Sequence, residues 1–183
     1  MEPVLISLDA SRLPGVLRVT LNRPDKLNAF NPGVHQGLAS AMSQAESDSA
    51  VRCLLISGAG RGFCAGQDLT ERDMKAAAID LGAGLEAWYN PLVKRMRALP
   101  KPIVCAVNGV AAGAGANFAL ACDIVLAARS ASFIQAFVKI GLVPDCGGSY
   151  FLSRLAGTQR AIDRKSTRLN SSHIQKSRMP SSA

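Results

Sequence analysis

The sequence is short of several residues that binding and catalytic sites often rely on. It has two histidines, His35 and His173, which excludes a His-rich metal site. Its five cysteines (Cys53, Cys64, Cys105, Cys122 and Cys146) show no CxxC spacing and give no support to a Cys-only zinc cluster. No apolar run approaches the roughly 18 residues of a membrane span. The opening MEPVLISLDA lacks the basic, apolar and small-residue order of a secretion signal. The cysteines are therefore read as buried or free thiols of a reducing cytoplasm, with no membrane partner expected. Aromatics make up 5% of the chain, and none interleaves with basic residues as single-strand binding would favour.

What is present suits one sizeable core: 183 residues, 48% of them hydrophobic. The net charge of +8 is unevenly placed. From Asp163 the text reads DRKSTRLNSSHIQKSRMPSSA, with five Lys/Arg and one Asp, which leaves residues 1–162 at +4. That stretch is too poor in apolar residues to be expected to order itself. DRKSTRLNSSH and SRMPSSA also resemble the translated constant halves of a sequencing-library adapter, with IQK where a variable index would fall. Residues 163–183 are therefore expected to be a non-native, disordered tail on a core of residues 1–162, and no nucleic-acid partner is inferred from the charge.

Hydrophobic periodicity predicts an α/β chain. VLRVTLN alternates as a strand does, and PVLISL is its candidate hairpin partner. Residues 32–48 put Val34, Leu38, Ala41, Met42 and Ala45 on one helical face, with Asn31 as cap before Pro32. VRCLLIS, IVCAVNG and IVLAAR read as strands, and residues 81–98 as a second amphipathic segment closed by LPKP. AAGAGANFALACD opens a Gly/Ala helix, and DCGGSYFLSRLAG starts a last helix that stops at Gly157. Strand, loop and helix in succession imply right-handed crossovers.

Two Gly-rich loops, GAGRGFCAGQDL and AAGAGAN, each follow a buried strand and precede a helix. Neither fits a dinucleotide fingerprint or a phosphate loop. Small residues there either permit tight packing or let a ligand reach backbone N–H groups, and two such loops can aim two donors at one oxygen. A third stretch, GLVPDCGGSY, places Asp145 between proline and glycines, as a turn former or as a catalytic carboxylate.

Together GAGRGFCAGQDL, LPKPIVCAVNGVAAGAGANFALACDIVLAARSASF, GLVPDCGG and LNRPDKLNAF closely resemble the crotonase, or enoyl-CoA hydratase/isomerase, superfamily, from about Val16 to Ile162. The resemblance implies a spiral of ββα units and an acyl-CoA thioester substrate. Coenzyme A would be part of that substrate, with no separate cofactor and no metal. It implies an oxyanion hole from the backbone N–H groups of Gln67 and Ala114. Cys64, Ala65, Gly66, Asp68 and Leu69 would border the CoA nucleotide, with Gly113, Asn117 and Phe137 as further substrate-binding positions. A homotrimer or dimer of trimers is implied for the full-length protein. The family's C-terminal helical trimerisation region is expected to be missing here, so that the 183-residue chain would expose apolar surface from residues 150–156.

Departures within the pattern separate its branches. Hydratases carry glutamates where this chain has Asn117 and Phe137, and concerted addition of water needs both. A carboxylate stands instead at Asp145, which resembles the isomerase branch of phenylacetate catabolism. That likeness implies conversion of 1,2-epoxyphenylacetyl-CoA to oxepin-CoA, or a shift of a 3-enoyl-CoA to a 2-enoyl-CoA, with Asp145 as acid/base. Its pKa would be raised by neighbours such as Phe137 and Leu142. A dehalogenase using the same Asp as nucleophile lacks its water activator here, since Asn90 and Phe137 stand where that chemistry wants His and Trp. Enoyl-CoA hydration is the alternative activity, and a non-catalytic CoA- or RNA-binding relative is the alternative of a different class. Among other residues, Asp68 is expected to orient its loop, Cys64 and Cys146 to pack, and Asp123 to join a helix to a strand. Trp88 and Tyr89 can border an acyl pocket, and Lys26, Arg61 and Arg72 can meet CoA phosphates.

Overall fold

Alternating side chains make the first two strands into a hairpin. In the computed structural model, which describes residues 2–9, 13–70 and 81–166, β1 (Val4–Asp9) pairs antiparallel with β2 (Val16–Leu21). Leu17, Val19 and Leu21 are fully buried and Arg18 between them is exposed. Burying each such side chain stabilises the fold by about 2 kcal/mol. β3 (Cys53–Gly58), β5 (Ile103–Val107) and β7 (Ile124–Ala127) extend this sheet in parallel, in the order β1-β2-β3-β5-β7. A second parallel sheet is built from three-residue strands, β4 (Gly62–Cys64), β6 (Val110–Ala112) and β8 (Ser132–Ile134), in the order β4-β6-β8.

The chain thus repeats one move: a strand of the large sheet, a short strand of the small sheet, then helix. This is the expected ββα repeat. The short strands are the part the periodicity did not show, because three residues are too few to display an alternation. α2 (Leu81–Gly84), a π turn at Leu85–Tyr89 and α3 (Asn90–Ala98) form the 81–98 segment. Pro91 has no N–H to give and its ring crowds the preceding turn, and the π turn absorbs this, with Asn90 N–H reaching Leu85 C=O. α4 (Ala114–Leu120) follows β6, and Asp123 after it accepts from Ile103 N–H at 2.9 Å and pairs with Arg97 at 2.9 Å, joining helix to strand as expected.

Two expectations are corrected. Gly157, at φ 79°, does end α5 (Gly148–Ala156), but the chain restarts at once as α6 (Thr158–Ser166). The helix crosses Ile162, so residues 163–166 of the supposed tail are helical; residues 167–183 lie outside the described residues, as does Arg72. Within 150–156, Tyr150 and Leu155 are exposed, while Phe151 is buried with the Arg97 guanidinium 6.0 Å from its ring centre.

α1 (Pro32–Ser47) buries the five residues assigned to its inner face, and Asn31 caps it, Oδ1 accepting from Val34 N–H at 3.0 Å. His35 is buried with them. Its ring stacks between Phe30 and Trp88, at centroid distances of 5.2 and 5.4 Å, and neither ring nitrogen has a hydrogen-bond partner among the described residues. Burial without an acceptor holds its pKa down at about 4, against 6.5 in the unfolded chain. Between those values the unfolded chain takes up a proton that the fold refuses, so stability falls as pH drops through the window. Going from pH 7 to 4.5 should cost about 2 kcal/mol through this group. His35→Phe, which keeps the stack, should lose that part of the slope in urea unfolding; an unchanged slope would clear His35.

Candidate active site

The LNRPDKLNAF stretch is a clip for the first Gly-rich loop. Asn28 is fully buried in the left-handed region at φ 57°, a conformation asparagine tolerates better than most residues. Its Oδ1 accepts from Arg23 N–H at 2.8 Å, and its Nδ2 donates to Ala59 and Gly62 carbonyls at 2.9 Å each. Ala65 N–H donates to Leu27 C=O at 2.9 Å. Phe30 then bridges to Gln67 as a parallel strand would: Phe30 N–H donates to Gly66 C=O at 2.7 Å and Asp68 N–H to Phe30 C=O at 2.8 Å. Because those bonds use the groups flanking Gln67, the Gln67 N–H points to the opposite side. The Gln67 side chain is held by Phe30 C=O at 3.3 Å and by the Tyr89 hydroxyl, which donates to its Oε1.

The second loop arrives beside the first because β4 and β6 are paired. Gly66, at φ 91°, shows how close they come: a Cβ there would lie 2.7 Å from Ala112 carbonyl oxygen and 3.4 Å from Ala114 N. Ala114 opens α4, so its N–H precedes the first helical acceptor and is not used within the helix. Gln67, Ala114 and Asp145 all line one cavity of about 340 Å³, with Ala65, Gly66, Leu69 and Gly113 along the loops. Leu85, Tyr89, Ala136, Phe137, Ile140, Leu142 and Val143 complete a largely apolar wall.

Asp145 sits half-buried on the turn before α5, with Cys146 and Gly147 both left-handed at φ 47° and 75°. Two consecutive left-handed residues make a tight reversal, strained at Cys146 because it carries a Cβ. Asp145 is the only carboxylate among the described residues that line the cavity. The arrangement brings a carboxylate and two backbone amides to one largely apolar space. Such a constellation can take and return a proton while an oxygen bears charge.

Three positions expected to bind substrate do not line this cavity. Cys64 is fully buried on β4, its thiol donating to Asn28 C=O at 3.2 Å and pushed up to about 12 by burial. Asp68 stands behind the loop rather than in the cavity: it accepts from Thr70 Oγ1 at 2.6 Å and pairs with Arg23 at 2.8 Å. The Thr70 hydroxyl first, and then Arg23, hold its carboxyl below the ordinary range. That is the loop-orienting role expected of it. Asn117 is fully buried, its Nδ2 donating to Asp145 C=O at 2.9 Å. Asn90 bonds Glu86 at 2.8 Å and is not part of the wall, and Lys26 and Arg61 are exposed. Leu85, Ala136, Ile140 and Val143 were not singled out from the sequence, since nothing but apolar character marks them.

With that geometry in place, the comparisons with known proteins are direct. The family described as enoyl-CoA hydratase/isomerase matches residues 12–169. The chain belongs to the enoyl-CoA hydratase/isomerase family. It is 59% identical over 150 residues to the 1,2-epoxyphenylacetyl-CoA isomerase of Escherichia coli, across 81% of this chain and 57% of that protein. It is 39% identical over 149 residues to the trans-2-decenoyl-[acyl-carrier-protein] isomerase of Streptococcus mutans, across 80% of this chain and 57% of the relative. Among solved structures, an enoyl-CoA hydratase from Bacillus anthracis superposes with a TM-score of 0.84 at 29% identity, covering 95% of this chain and 66% of that one. The chain spans little more than half the length of the curated relatives it matches.

The clip itself can be tested. Asn28→Ala strips three bonds, one of them to the half-buried Ala59 carbonyl, and leaves Gly62 C=O only the longer 3.4 Å bond from Asn108 Nδ2; it should cost about 3 kcal/mol of stability. Chemical denaturation measures this; a loss below about 1 kcal/mol would mean that Arg23 and Leu27 hold the loop without it.

Proposed function

We propose that the protein is an acyl-CoA isomerase in which Asp145 carries a proton between two carbons while the Gln67 and Ala114 amides hold the thioester oxygen. One observation carries this reading: among the described residues, a single carboxylate shares an apolar cavity with two loop amides that the Phe30–Gln67 bridge and α4 leave unused. For a 3-enoyl thioester, Asp145 takes a proton from C2. The electron pair moves onto the carbonyl oxygen, and each amide stabilises that charge by about 3 kcal/mol. The proton returns at C4 and the double bond ends between C2 and C3, so no atom is gained or lost.

For the natural substrate we favour 1,2-epoxyphenylacetyl-CoA, converted to oxepin-CoA, with Asp145 assisting by its charge or by proton exchange. The 59% identity to the Escherichia coli isomerase supports this choice, and the apolar wall suits an unsaturated ring. Coenzyme A enters as part of the substrate. The family resemblance extends the reading to a cytoplasmic homotrimer or dimer of trimers in the full-length protein.

Hydration is the competing reading, since the Bacillus anthracis neighbour is a hydratase. It requires two carboxylates on one water, and Asn117 and Phe137 occupy the positions the family uses for them. In the full-length protein, Asp145→Asn should lower isomerase kcat by a factor of about 10² to 10⁴ with acyl-CoA affinity little changed, because the amide keeps the shape and loses the base. Full turnover by that variant would remove Asp145 from the chemistry. Isomerisation of a 3-enoyl-CoA, or oxepin formation, should also outpace hydration of crotonyl-CoA by at least about tenfold, a transition-state difference of about 1.4 kcal/mol. A dominant hydration rate would favour the hydratase.

A further inference from the structure

The Asp145 turn is held from beneath by two buried side-chain amides that take no part in the cavity wall. Asn117, on α4, is completely buried, and Gln135, immediately after β8, is 8% exposed. Gln135 Nε2 donates to Asn117 Oδ1 at 2.8 Å, and Asn117 Nδ2 donates to Asp145 C=O at 2.9 Å. The same carbonyl accepts from Gly148 N–H at 2.7 Å. The direction of this chain is forced. A backbone carbonyl can only accept, so Asn117 must present its NH₂ to Asp145, and its oxygen is left facing the Gln135 donor. The turn makes room for it: a Cβ at Gly148 would lie 2.2 Å from Asn117 Nδ2.

We propose that Gln135 and Asn117 are positioning residues for the reaction, a relay that sets where the Asp145 carboxylate stands relative to the Ala114 amide. This rests on the isomerase reading above and deepens it. α4 carries both Ala114 and Asn117, so the helix that presents an amide to the substrate oxygen also grips the turn that presents the base. Gln135 ties in the third wall, because β8 pairs with β6, Gly113 N–H donates to Ile134 C=O at 2.8 Å, and Phe137 follows two residues later. A carboxylate at position 117 would face the Asp145 carbonyl with lone pairs on both sides, so the asparagine is the residue type that a base on this turn requires.

Gln135 also shows why this is more than packing. Its Oε1 is buried and has no hydrogen-bond partner among the described residues. A buried acceptor left unmatched costs stability, so the glutamine gains the fold little over a methionine of similar length, which would in turn leave Asn117 Oδ1 without its donor. Gln135→Met trades one unmatched buried oxygen for another, Gln135 Oε1 for Asn117 Oδ1, so the full-length variant should unfold close to the parent's temperature. Its kcat for 3-enoyl-CoA isomerisation should fall about tenfold with KM within about twofold, since small misplacement of a catalytic group is costly. Asn117→Leu should lower kcat about a hundredfold. The double variant should be no slower than Asn117→Leu alone, because Gln135 acts only through Asn117. Hydrogen exchange at the Gly148 amide should quicken at least about tenfold in Gln135→Met, with Cys105 in β5 unaffected.

Parent-like kcat together with parent-like Gly148 exchange in Gln135→Met would overturn the relay. So would a kcat loss matched by a fall in melting temperature, or additive losses in the double variant. If Asn117→Leu fails to fold, Gln135→Met decides alone. The exchange measurement does not depend on turnover, so it separates failure of the relay from failure of Asp145 as base, which the Asp145→Asn variant reports by itself.

Discussion

The parallel bridge between Phe30 and Gln67 is the contact on which the cavity depends. Phe30 spends its N–H and C=O on Gly66 and Asp68, and by doing so leaves the Gln67 amide turned to the other side. A slip of one residue in that register would turn Gln67 inward and bring Gly66 or Asp68 out in its place. The slip is opposed by the side chain of the same residue. The Phe30 ring is fully buried, edge-on to Tyr89 and Phe118 at 5.5 and 5.6 Å, so the core and the loop register are fixed by one residue.

Buried polar groups do much of the remaining placement. Asn28 ties the first loop, Asp68 with Arg23 braces its far side, and Asn117 holds the turn of Asp145. Each is almost wholly desolvated and hydrogen-bonded. Such bonds add little net stability compared with apolar packing, but they are directional, and a wrong arrangement leaves a buried group unpaired at a cost of about 1–3 kcal/mol. Apolar residues supply the stability of this fold and amides supply its register. Tyr89 links the two, lining the cavity with its ring and bonding Gln67 through its hydroxyl.

The same logic explains why Cys64, Asp68 and Asn117 stand behind the site and not in it. All three lie next in sequence to residues that do line the cavity or share a helix with one. On a short strand, neighbours face opposite sides. On a helix, Asn117 is three residues from Ala114 and so shares its face, but the Asp145 turn covers that face before the cavity reaches it.

Much of the scaffold was legible in the sequence because local physics decides it. Strict alternation made β2 a half-buried strand, helical spacing chose the buried face of α1, and Asn31 before proline set its start. The loop motifs and Asp145 were also visible, since small residues and a carboxylate in a Pro/Gly turn are uncommon enough to be noticed. The sequence did not show the short strands β4, β6 and β8, the burial of His35 between two aromatic rings, or the further helix that starts after Gly157. Nor did it show which way Gln67, Asp68 and Asn117 face. Those outcomes depend on contacts between residues far apart in the chain: the hydrogen bonds of Phe30 to Gly66 and Asp68, the pairing of β4 with β6, and the reach of Asn117 to Asp145. Composition and periodicity carry which residues prefer to be buried. Only the assembled chain sets which donor meets which acceptor, because a hydrogen bond is specified by position and angle between partners that local sequence does not place.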